Sequence, residues 1–324
     1  MRKLLVILIL GVSFYTEAQQ LPVISGFYNN KYMLNPGATG ANRFLEADLY
    51  YKNQWVGYDG SPATQFLSAH SSLNEMNFGL GMAVLNDSRG VLKNTGFQVS
   101  SAYHLPVGPD FKLGVGFTAG FNQFRVDGTN LILAHATDDL VANSVGKSKL
   151  TPNVSLGMFG QSEKFYFGVS AMNLLDSRVE IYQSSTKNSM HLYAMTGATF
   201  ELSKEINLKP NLLVTYVQGF PVNADLRVLA SYQETIDFGL GYRLSNDLII
   251  TAGYEIINGL KVSYGYDLNL GGLKKFQAGS HEIQLSYRWY YDPAYQGSKS
   301  RYGWIKKGRK KKVKENSKEK RADI

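Results

Sequence analysis

The sequence feature that most constrains the fold is a strict alternation of apolar with small or polar residues between positions 111 and 122. The apolar positions are Phe111, Leu113, Val115, Phe117, Ala119 and Phe121, and those between them are Lys112, Gly114, Gly116, Thr118, Gly120 and Asn122. Because side chains of a strand point alternately to its two faces, this period predicts a β-strand with one apolar face. In a soluble sandwich that face would be core, whereas in a transmembrane barrel it would meet lipid and the polar face would line the lumen.

The same pattern recurs along the chain and predicts fourteen strands. We expect them near residues 43–53, 62–73, 77–86, 95–105, 111–125, 150–160, 164–173, 190–202, 207–218, 223–233, 236–244, 247–257, 260–268 and 280–291. Many of the apolar rows begin or end in tyrosine or phenylalanine, as expected where aromatic rings lie at the two interfaces of a membrane.

The lengths of the links favour a barrel over a sandwich. Links after the even-numbered predicted strands are short, whereas several of those after odd-numbered strands are long, notably 126–149, 174–189 and 269–279. This asymmetry is typical of outer-membrane barrels, which have short periplasmic turns and long external loops. Backbone groups in lipid have no water to bond, so we expect closure of the first strand against the last. The sequence therefore predicts an all-β, antiparallel transmembrane barrel of about fourteen strands with both termini in the periplasm.

The first residues predict export. Arg2 and Lys3 precede an apolar run from Leu4 to Val12, and Ala18 ends a small-residue cleavage site. This arrangement is typical of a secretory signal peptide, here residues 1–18, and the run is much shorter than the roughly 20 residues of a spanning helix. The chain has no cysteine, which excludes disulfides and a lipid anchor on a cysteine thiol.

The positive net charge lies in the C-terminal extension. Of 34 basic and 26 acidic residues, 12 basic and 4 acidic ones lie from Asp292 onward, which leaves 22 of each before it. The most basic residues of this tail (292–324) are Lys306, Lys307, Arg309, Lys310, Lys311 and Lys312. A block of like charges is usually a disordered, solvated arm. In the periplasm it could also bind an acidic partner protein, cell-wall anions or phosphate-bearing lipid, with contacts that weaken as salt screens them. Behind a signal peptide, we expect no nucleic-acid partner.

Three stretches carry a family resemblance. They are Tyr32–Gly40 (YMLNPGATG), Asn53–Gly57 with Gly60–Gln65 (NQWVG and GSPATQ), and Gly279–Tyr287 (GSHEIQLSY). They resemble segments of the PorP/SprF family of type IX secretion system outer-membrane proteins of Bacteroidetes. This chain has one clear Asn-Pro step where the family commonly has two, and Ser61 where alanine is frequent.

The resemblance covers residues 20–291 and implies a role in type IX secretion. It implies a non-enzymatic outer-membrane component that assists export or surface anchoring of a large adhesin with a type IX sorting domain. Its partners would be that cargo, other periplasmic and outer-membrane components of the system, and outer-membrane lipid. The identity of the cargo does not follow from the resemblance.

Two segments are candidate sites of interaction. The first is the link formed by Asn53, Gln54, Trp55, Gly57, Gly60 and Pro62, which we expect to be a fixed external loop that contacts cargo or plugs the lumen. Trp55 could instead serve only as an interfacial aromatic residue. The second is residues 19–42, which precede the barrel (43–291) and alternate weakly. We expect this segment, with Tyr32, Asn35 and Pro36, to pack inside the barrel or across its periplasmic mouth.

Catalytic patterns are weak throughout the chain. The histidines are scattered at His70, His104, His135, His191 and His281, with no H-E-x-x-H pair, and there is no G-x-S-x-G elbow. Glu46 and Asp48 are neighbours because residues two apart share a strand face. Gly114 and Gly116 lie in mid-strand, where small inward-facing residues are more plausible than a dinucleotide loop. We therefore expect no catalytic, cofactor or metal site.

Two other functions stay open from the sequence. A fourteen-stranded barrel could be a transporter or porin for small or hydrophobic solutes, which conductance or uptake would reveal. An outer-membrane enzyme would show an activity lost with a single polar substitution, and no residue set favours it.

Overall fold

The computed structural model describes residues 24–42, 44–73, 77–127, 146–181, 184–275 and 277–290. The expected signal peptide and basic tail lie outside the described residues, and so does His135.

Antiparallel β-structure dominates the described chain. Its strands are β1 Phe44–Asn53, β2 Ala63–Leu73, β3 Phe78–Arg89, β4 Leu92–Pro106, β5 Phe111–Val126, β6 Ser148–Ser162, β7 Phe165–Met172, β8 Arg178–Ile181, β9 Ser184–Lys187, β10 His191–Ala198, β11 Phe200–Glu201, β12 Ile206–Val217, β13 Asn223–Tyr232, β14 Ile236–Arg243, β15 Asp247–Ile257, β16 Leu260–Asn269 and β17 Ser280–Tyr290. Two short 3-10 helices span Pro36–Ala38 and Gly272–Lys275.

Fourteen wall strands close into a barrel. They are β1 to β7, β10 with its continuation β11, and β12 to β17, while β8 and β9 form a separate hairpin. β1 pairs with β17, with Leu49 opposite Leu285, and β10 pairs with β12, with Met195 opposite Leu213. The prediction of a closed fourteen-stranded antiparallel barrel is confirmed.

The alternation of the sequence becomes an outer and an inner face. On β5, Val115, Phe117 and Phe121 are exposed on the outside, whereas Thr118 and Asn122 are buried toward the lumen. Bulky apolar side chains on the outside are expected of a barrel that is solvated by lipid. No helix within the described ranges is long and apolar enough to cross a membrane.

The two ends of the barrel differ in their links. One end, called the tight-turn end here, carries links 74–77, 107–110, 163–164, 202–205, 233–235 and 258–259. The other, called the long-loop end, carries links 54–62, 90–91, 127–147, 173–190, 218–222, 244–246 and 270–279. β1 begins and β17 ends at the tight-turn end.

One link at the long-loop end is shorter than predicted. The predicted strands end near residue 86 and begin again near 95, yet β3 and β4 remain paired up to Arg89 and Leu92. Polar side chains of the two strands bond to each other across this ladder, as Thr95 Oγ1 does in donating to Asn86 Oδ1 at 3.2 Å, so polar composition does not end the strands. The turn itself is made at Gly90, whose φ of 56° favours glycine.

Candidate functional site

Residues 24–42 lie inside the barrel and are called the plug segment here. Phe27, Tyr32 and Asn35 are at most 3% exposed. Ser25 lies toward the long-loop end, where it contacts Asp267 near the end of β16. The segment then crosses the lumen toward the start of β1 at the tight-turn end.

Glycines line the wall on one side of the plug segment. Their inner-face positions on β3, β5, β6 and β7 are Gly79, Gly81, Gly114, Gly116, Gly157 and Gly168, and we call them the glycine wall. A Cβ atom at Gly116 would lie 2.1 Å from the carbonyl oxygen of Pro36, and one at Gly157 would lie 2.2 Å from Asn35 Oδ1. The backbone of the plug segment therefore approaches the strands as closely as it does only because these positions lack side chains.

Asn35 fixes the plug segment to the glycine side of the barrel. Its Nδ2 donates to the carbonyl oxygens of Met158 (2.9 Å) and Val169 (3.3 Å) on adjacent strands. Its Oδ1 accepts from Gly37 N at 2.8 Å and so caps the short helix Pro36–Ala38. A single buried amide thus both ends the extended chain and attaches it to the wall.

Two histidines contact the backbone at the end of the helix. His104 Nε2 donates to the Thr39 carbonyl oxygen at 2.7 Å, and His70 Nδ1 accepts from Gly40 N at 3.1 Å. The Tyr32 hydroxyl shares a hydrogen bond with Ser100 Oγ at 3.0 Å. These contacts give both histidines a positioning role toward the plug segment.

Charged side chains line the opposite side of the lumen. The charged wall, as we call it, comprises Lys52, Asp225, Arg227, Arg243, Asp267 and Glu282 on β1, β13, β14, β16 and β17. Lys52 lies 2.7 Å from Asp267, and Arg243 lies 3.0 Å from Asp267 and 2.8 Å from Asp225. Their side chains are at most 5% exposed. Three cations and three anions therefore compensate one another out of solvent, as buried charges must.

Ser25 lies at the centre of the charged wall. Its hydroxyl accepts from Lys52 Nζ (2.9 Å) and Arg243 Nη2 (2.8 Å) and donates to Asp267 (2.9 Å). Its backbone N donates to Glu282 Oε2 at 2.9 Å. The start of the described plug segment is thus held by charge-assisted hydrogen bonds, which are stronger than neutral ones.

The loop 54–62 is fixed by its neighbours at the long-loop end. Gln54 N donates to the carbonyl oxygen of Pro62 at 2.8 Å, which closes the base of the loop. Val56 N donates to Gly279 O, and Gly90 N donates to Gly60 O, both at 2.9 Å. The loop is therefore held by the links on both sides of it.

Aromatic side chains project from this loop. Trp55 is 38% exposed and Tyr58 is 59% exposed. Trp55 has a positive φ of 53°, in the left-handed region that most side chains avoid, and Gly57 and Gly60 have φ of 93° and 74°. The backbone is therefore bent sharply, with two large side chains at the surface.

The structure brings some candidate residues together. Gln54, Trp55, Gly57, Gly60 and Pro62 lie in one loop, and Asn53 is the last residue of β1, at the base of that loop. Tyr32, Asn35 and Pro36 lie together in the lumen. The basic residues Lys306, Lys307, Arg309, Lys310, Lys311 and Lys312 lie outside the described residues.

Sequence reasoning missed the charged wall. Lys52, Arg243 and Asp267 each stand on an inner-face position close to the long-loop end of a strand. That shared position was the available signal, but it does not reveal which charges meet. In the part of the chain that the structure describes, no group of three or more His, Cys, Asp or Glu residues could hold a metal ion.

Several solved structures have a similar architecture. The toluene transporter TbuX of Ralstonia pickettii is 10% identical, with 80% of this chain and 93% of that chain covered and a TM-score of 0.46. The CymD monoaromatic hydrocarbon channel is 13% identical, with 80% and 92% covered and a TM-score of 0.45. The Acinetobacter baumannii outer membrane protein Omp33 is 9% identical, with 78% and 100% covered and a TM-score of 0.43. At these identities, nothing about their ligands carries over.

Sequence comparisons give a more specific result. No curated protein matches the chain. The model of the family described as "Type IX secretion system membrane protein PorP/SprF" matches residues 16–287.

Proposed function

This chain belongs to the PorP/SprF family of type IX secretion system membrane proteins, and we propose that it assists the export or surface anchoring of a large adhesin-type cargo protein without catalysing a reaction. In this proposal the barrel is a partner that holds or receives cargo. Specificity then comes from the shape and charge of its surfaces.

The occupied lumen carries this proposal. The plug segment is attached to opposite walls, through Asn35 on the glycine wall and Ser25 on the charged wall. A barrel filled in this way offers surfaces at its two ends rather than a wide aqueous path. That arrangement supports a role in binding proteins more than a role as an open pore.

The loop 54–62 supplies a suitable binding surface. Its backbone is fixed by hydrogen bonds to Gly279 and Gly90, so little conformational entropy would be lost on binding. Exposed Trp55 and Tyr58 are of the residue types that dominate binding energy at protein interfaces. We propose that Asn53, Gln54, Trp55, Gly57, Gly60 and Pro62 form the surface that contacts cargo.

The orientation of the barrel is part of the proposal. We place the long-loop end outside the cell and the tight-turn end in the periplasm, as in barrels with short periplasmic turns. β17 ends at the tight-turn end, which supports a periplasmic position for residues 292–324. The start of the plug segment lies toward the opposite end of the barrel from the end of β17, because Ser25 lies toward the long-loop end of the lumen.

The basic tail is assigned a periplasmic contact. We propose that Lys306, Lys307, Arg309, Lys310, Lys311 and Lys312 bind an acidic component of the secretion machinery, cell-wall anions or phosphate-bearing lipid. Such binding weakens as salt screens the charges. Removal of residues 306–321 should therefore reduce the recovery of periplasmic partners at low salt and change little at high salt.

Affinity isolation tests the main proposal. The tagged full chain would be isolated from native membranes in mild detergent and its partners identified by mass spectrometry. We expect a very large exported surface protein, type IX periplasmic components, or both. The double variant Trp55→Ala/Tyr58→Ala should lose the surface protein and keep the periplasmic components. The matched control is Leu202→Ala, which removes an exposed apolar side chain at the tight-turn end.

The opposite result would favour transport. If the barrel is recovered alone, under conditions that preserve other membrane complexes, the proposal fails. Steady conductance of the purified barrel in planar bilayers would then indicate a channel for small or hydrophobic solutes.

A further inference from the structure

The outer face of β3 to β6 changes its chemistry in three rows toward the long-loop end. The first row is apolar and exposed, with Val84, Phe97 and Phe121 opposite one another on adjacent strands. The rings of Phe97 and Phe121 have centroids 5.9 Å apart. Exposed aromatic side chains on the outside of a barrel are typical of the region where the apolar core of a membrane meets its headgroups.

The next row toward the long-loop end is polar and uncharged. Asn86, Thr95 and Gln123 stand two residues further along their strands and are again opposite one another. Thr95 Oγ1 donates to Asn86 Oδ1 at 3.2 Å, and Gln123 Nε2 donates to Ser148 Oγ at 3.3 Å. These exposed amide and hydroxyl groups offer both donors and acceptors, which suits the hydroxyl groups of a sugar.

The third row places two cations side by side. Lys93 on β4 lies directly opposite Arg125 on β5, and Ser88 and Ser148 flank them on β3 and β6. Like charges directly opposite one another in a sheet are destabilising. Lys93 also pairs with Asp127, which offsets one of the two charges and leaves the row with a net positive charge. An anionic group that bonds to both cations would therefore be stabilising.

The opposite part of the wall has a different outer face. Within the described ranges of β12 to β16, no charged residue lies on that face. Apolar side chains continue there to the long-loop ends of the strands, as at Tyr216, Tyr242 and Leu268. The succession of an apolar, a polar and a cationic row is thus not a general property of the barrel surface.

We propose that these three rows of β3 to β6, called the three-row patch here, bind a phosphorylated glycolipid of the external leaflet. Successive rows lie about 7 Å apart along the strands, which leaves room for a sugar between acyl chain and phosphate. The acyl chains pack against the apolar row, the sugar bonds to the polar row, and a phosphate lies between Lys93 and Arg125. The assignment to the external leaflet rests on the proposed orientation of the barrel, whereas the site is separate from the cargo-binding loop.

Native mass spectrometry of the purified full chain in detergent tests the three-row patch. The barrel would be titrated with lipid A, which carries phosphates on an acylated glucosamine disaccharide, and with lipid A freed of its phosphates. We expect a saturable complex with lipid A and about tenfold weaker binding of the dephosphorylated form. The double variant Lys93→Gln/Arg125→Gln should bind lipid A about tenfold more weakly and the dephosphorylated form as the wild type does.

Two further variants control the experiment. Lys164→Gln/Lys204→Gln removes two exposed cations at the tight-turn end, so it changes the net charge equally and should leave the affinity for lipid A unchanged. Thr95→Val/Gln123→Leu keeps both cations and should reduce the preference for lipid A over phosphatidylglycerol, an anionic lipid without a sugar. Heat-modifiable migration on SDS gels shows that each variant is folded.

The proposal is overturned by either of two results. One is an equal loss of affinity for lipid A in Lys93→Gln/Arg125→Gln and in its control at the tight-turn end. The other is a wild-type barrel that binds lipid A, its dephosphorylated form and phosphatidylglycerol equally well. Because the titration uses the isolated barrel, its outcome is independent of whether cargo is recovered in the affinity isolation.

The assignment to the external leaflet has its own test. The chain has no cysteine, so Tyr58→Cys provides a single thiol in the loop at the long-loop end. A membrane-impermeant maleimide should label it on intact cells, whereas the thiol of Leu202→Cys at the tight-turn end should react only after the outer membrane is opened. The reverse pattern would overturn the external position of the three-row patch.

Discussion

The two sides of the lumen hold the same plug segment by different means. The glycine wall accepts the chain by shape, because Gly116 and Gly157 leave room for the backbone and the Asn35 side chain. The charged wall accepts it by electrostatics, because Ser25 completes a network that includes Lys52, Arg243 and Asp267. Packing of the plug segment on the glycine wall therefore depends on the absence of side chains. Its binding to the charged wall depends on the presence of every charged side chain of the network.

This difference determines which substitutions should weaken the attachment of the plug segment to each wall. Close packing tolerates no added atoms, and an added methyl group forces the plug segment away from the strands. Buried charges are costly to desolvate, and their pairing offsets that cost only while the network is complete. Loss of one charged member should therefore destabilise the protein more than addition of one methyl group opposite.

The largest effect is expected from Asp267→Ala. The change leaves Lys52 and Arg243 without their shared carboxylate in a buried site, and it should lower the free energy of unfolding by about 3–5 kcal/mol. Urea unfolding followed by the heat-modifiable gel band measures it. Lys93→Ala is the control, because its pair with Asp127 is partly exposed and should contribute at most about 1 kcal/mol. Equal losses in both variants would contradict a special role of the charged wall.

A smaller effect is expected from Gly116→Ala. The new Cβ would meet the Pro36 carbonyl oxygen at 2.1 Å, and overpacking of this kind should cost about 1–3 kcal/mol. Displacement of the plug segment should also raise the conductance of the barrel in planar bilayers. Gly108→Ala is the control, since a Cβ there would meet no atom within 4 Å. A Gly116→Ala variant as stable and as poorly conducting as Gly108→Ala would show that the glycine wall can shift to accommodate an added methyl group.

Asn35→Ala tests the directed hydrogen bonds of the glycine wall. It removes the donor to Met158 and Val169 and the cap of the short helix, with an expected loss of about 1–2 kcal/mol in urea unfolding. Asn29→Ala is the matched change on the charged side, where the Asn29 amide makes only longer side-chain contacts of 3.3 Å. We expect a clearly smaller loss for Asn29→Ala, and the reverse order would contradict the position of the main anchor at Asn35.

The smallest effect is expected from His104→Leu. Loss of the bond to the Thr39 carbonyl oxygen should cost about 0.5–1.5 kcal/mol, with little change between low and high salt. His281→Leu is the control, because His281 contacts Tyr264 outside the lumen and should change the stability less. A strongly salt-dependent loss in His104→Leu would place His104 with the charged wall instead.

Much of the barrel could be predicted because the alternation within each strand shows which side chains share a face. The row from Phe111 to Asn122 predicted the outer and inner sides of β5, and the exposed Val115 and Phe117 agree with it. Closure followed from the need to pair every backbone group in lipid. The expected ends of β3 and β4, near residues 86 and 95, lie three residues short of the observed ladder, whose last pair is Arg89 with Leu92.

The interior could be predicted only in part. The segment with Tyr32, Asn35 and Pro36 was expected in or across the lumen because it alternates weakly. Gly114 and Gly116 were expected to be small inward residues, but nothing local says that they face Pro36 and Gly37. Contacts across the lumen join residues far apart in the chain, and only the register and closure of the whole barrel determine which ones meet.

The course of the plug segment also has a consequence for the assembly of the barrel. The bond between Ser25 and Glu282 joins residues 257 apart, and the pairing of β1 with β17 joins the same two regions of the chain. Contacts of such high sequence separation form slowly, because a long loop must close before they stabilise anything. Docking of the plug segment and pairing of β1 with β17 therefore both require that the N-terminal and C-terminal regions of the chain meet late in folding. We expect them to appear together, as one slow phase at the end of folding into the membrane.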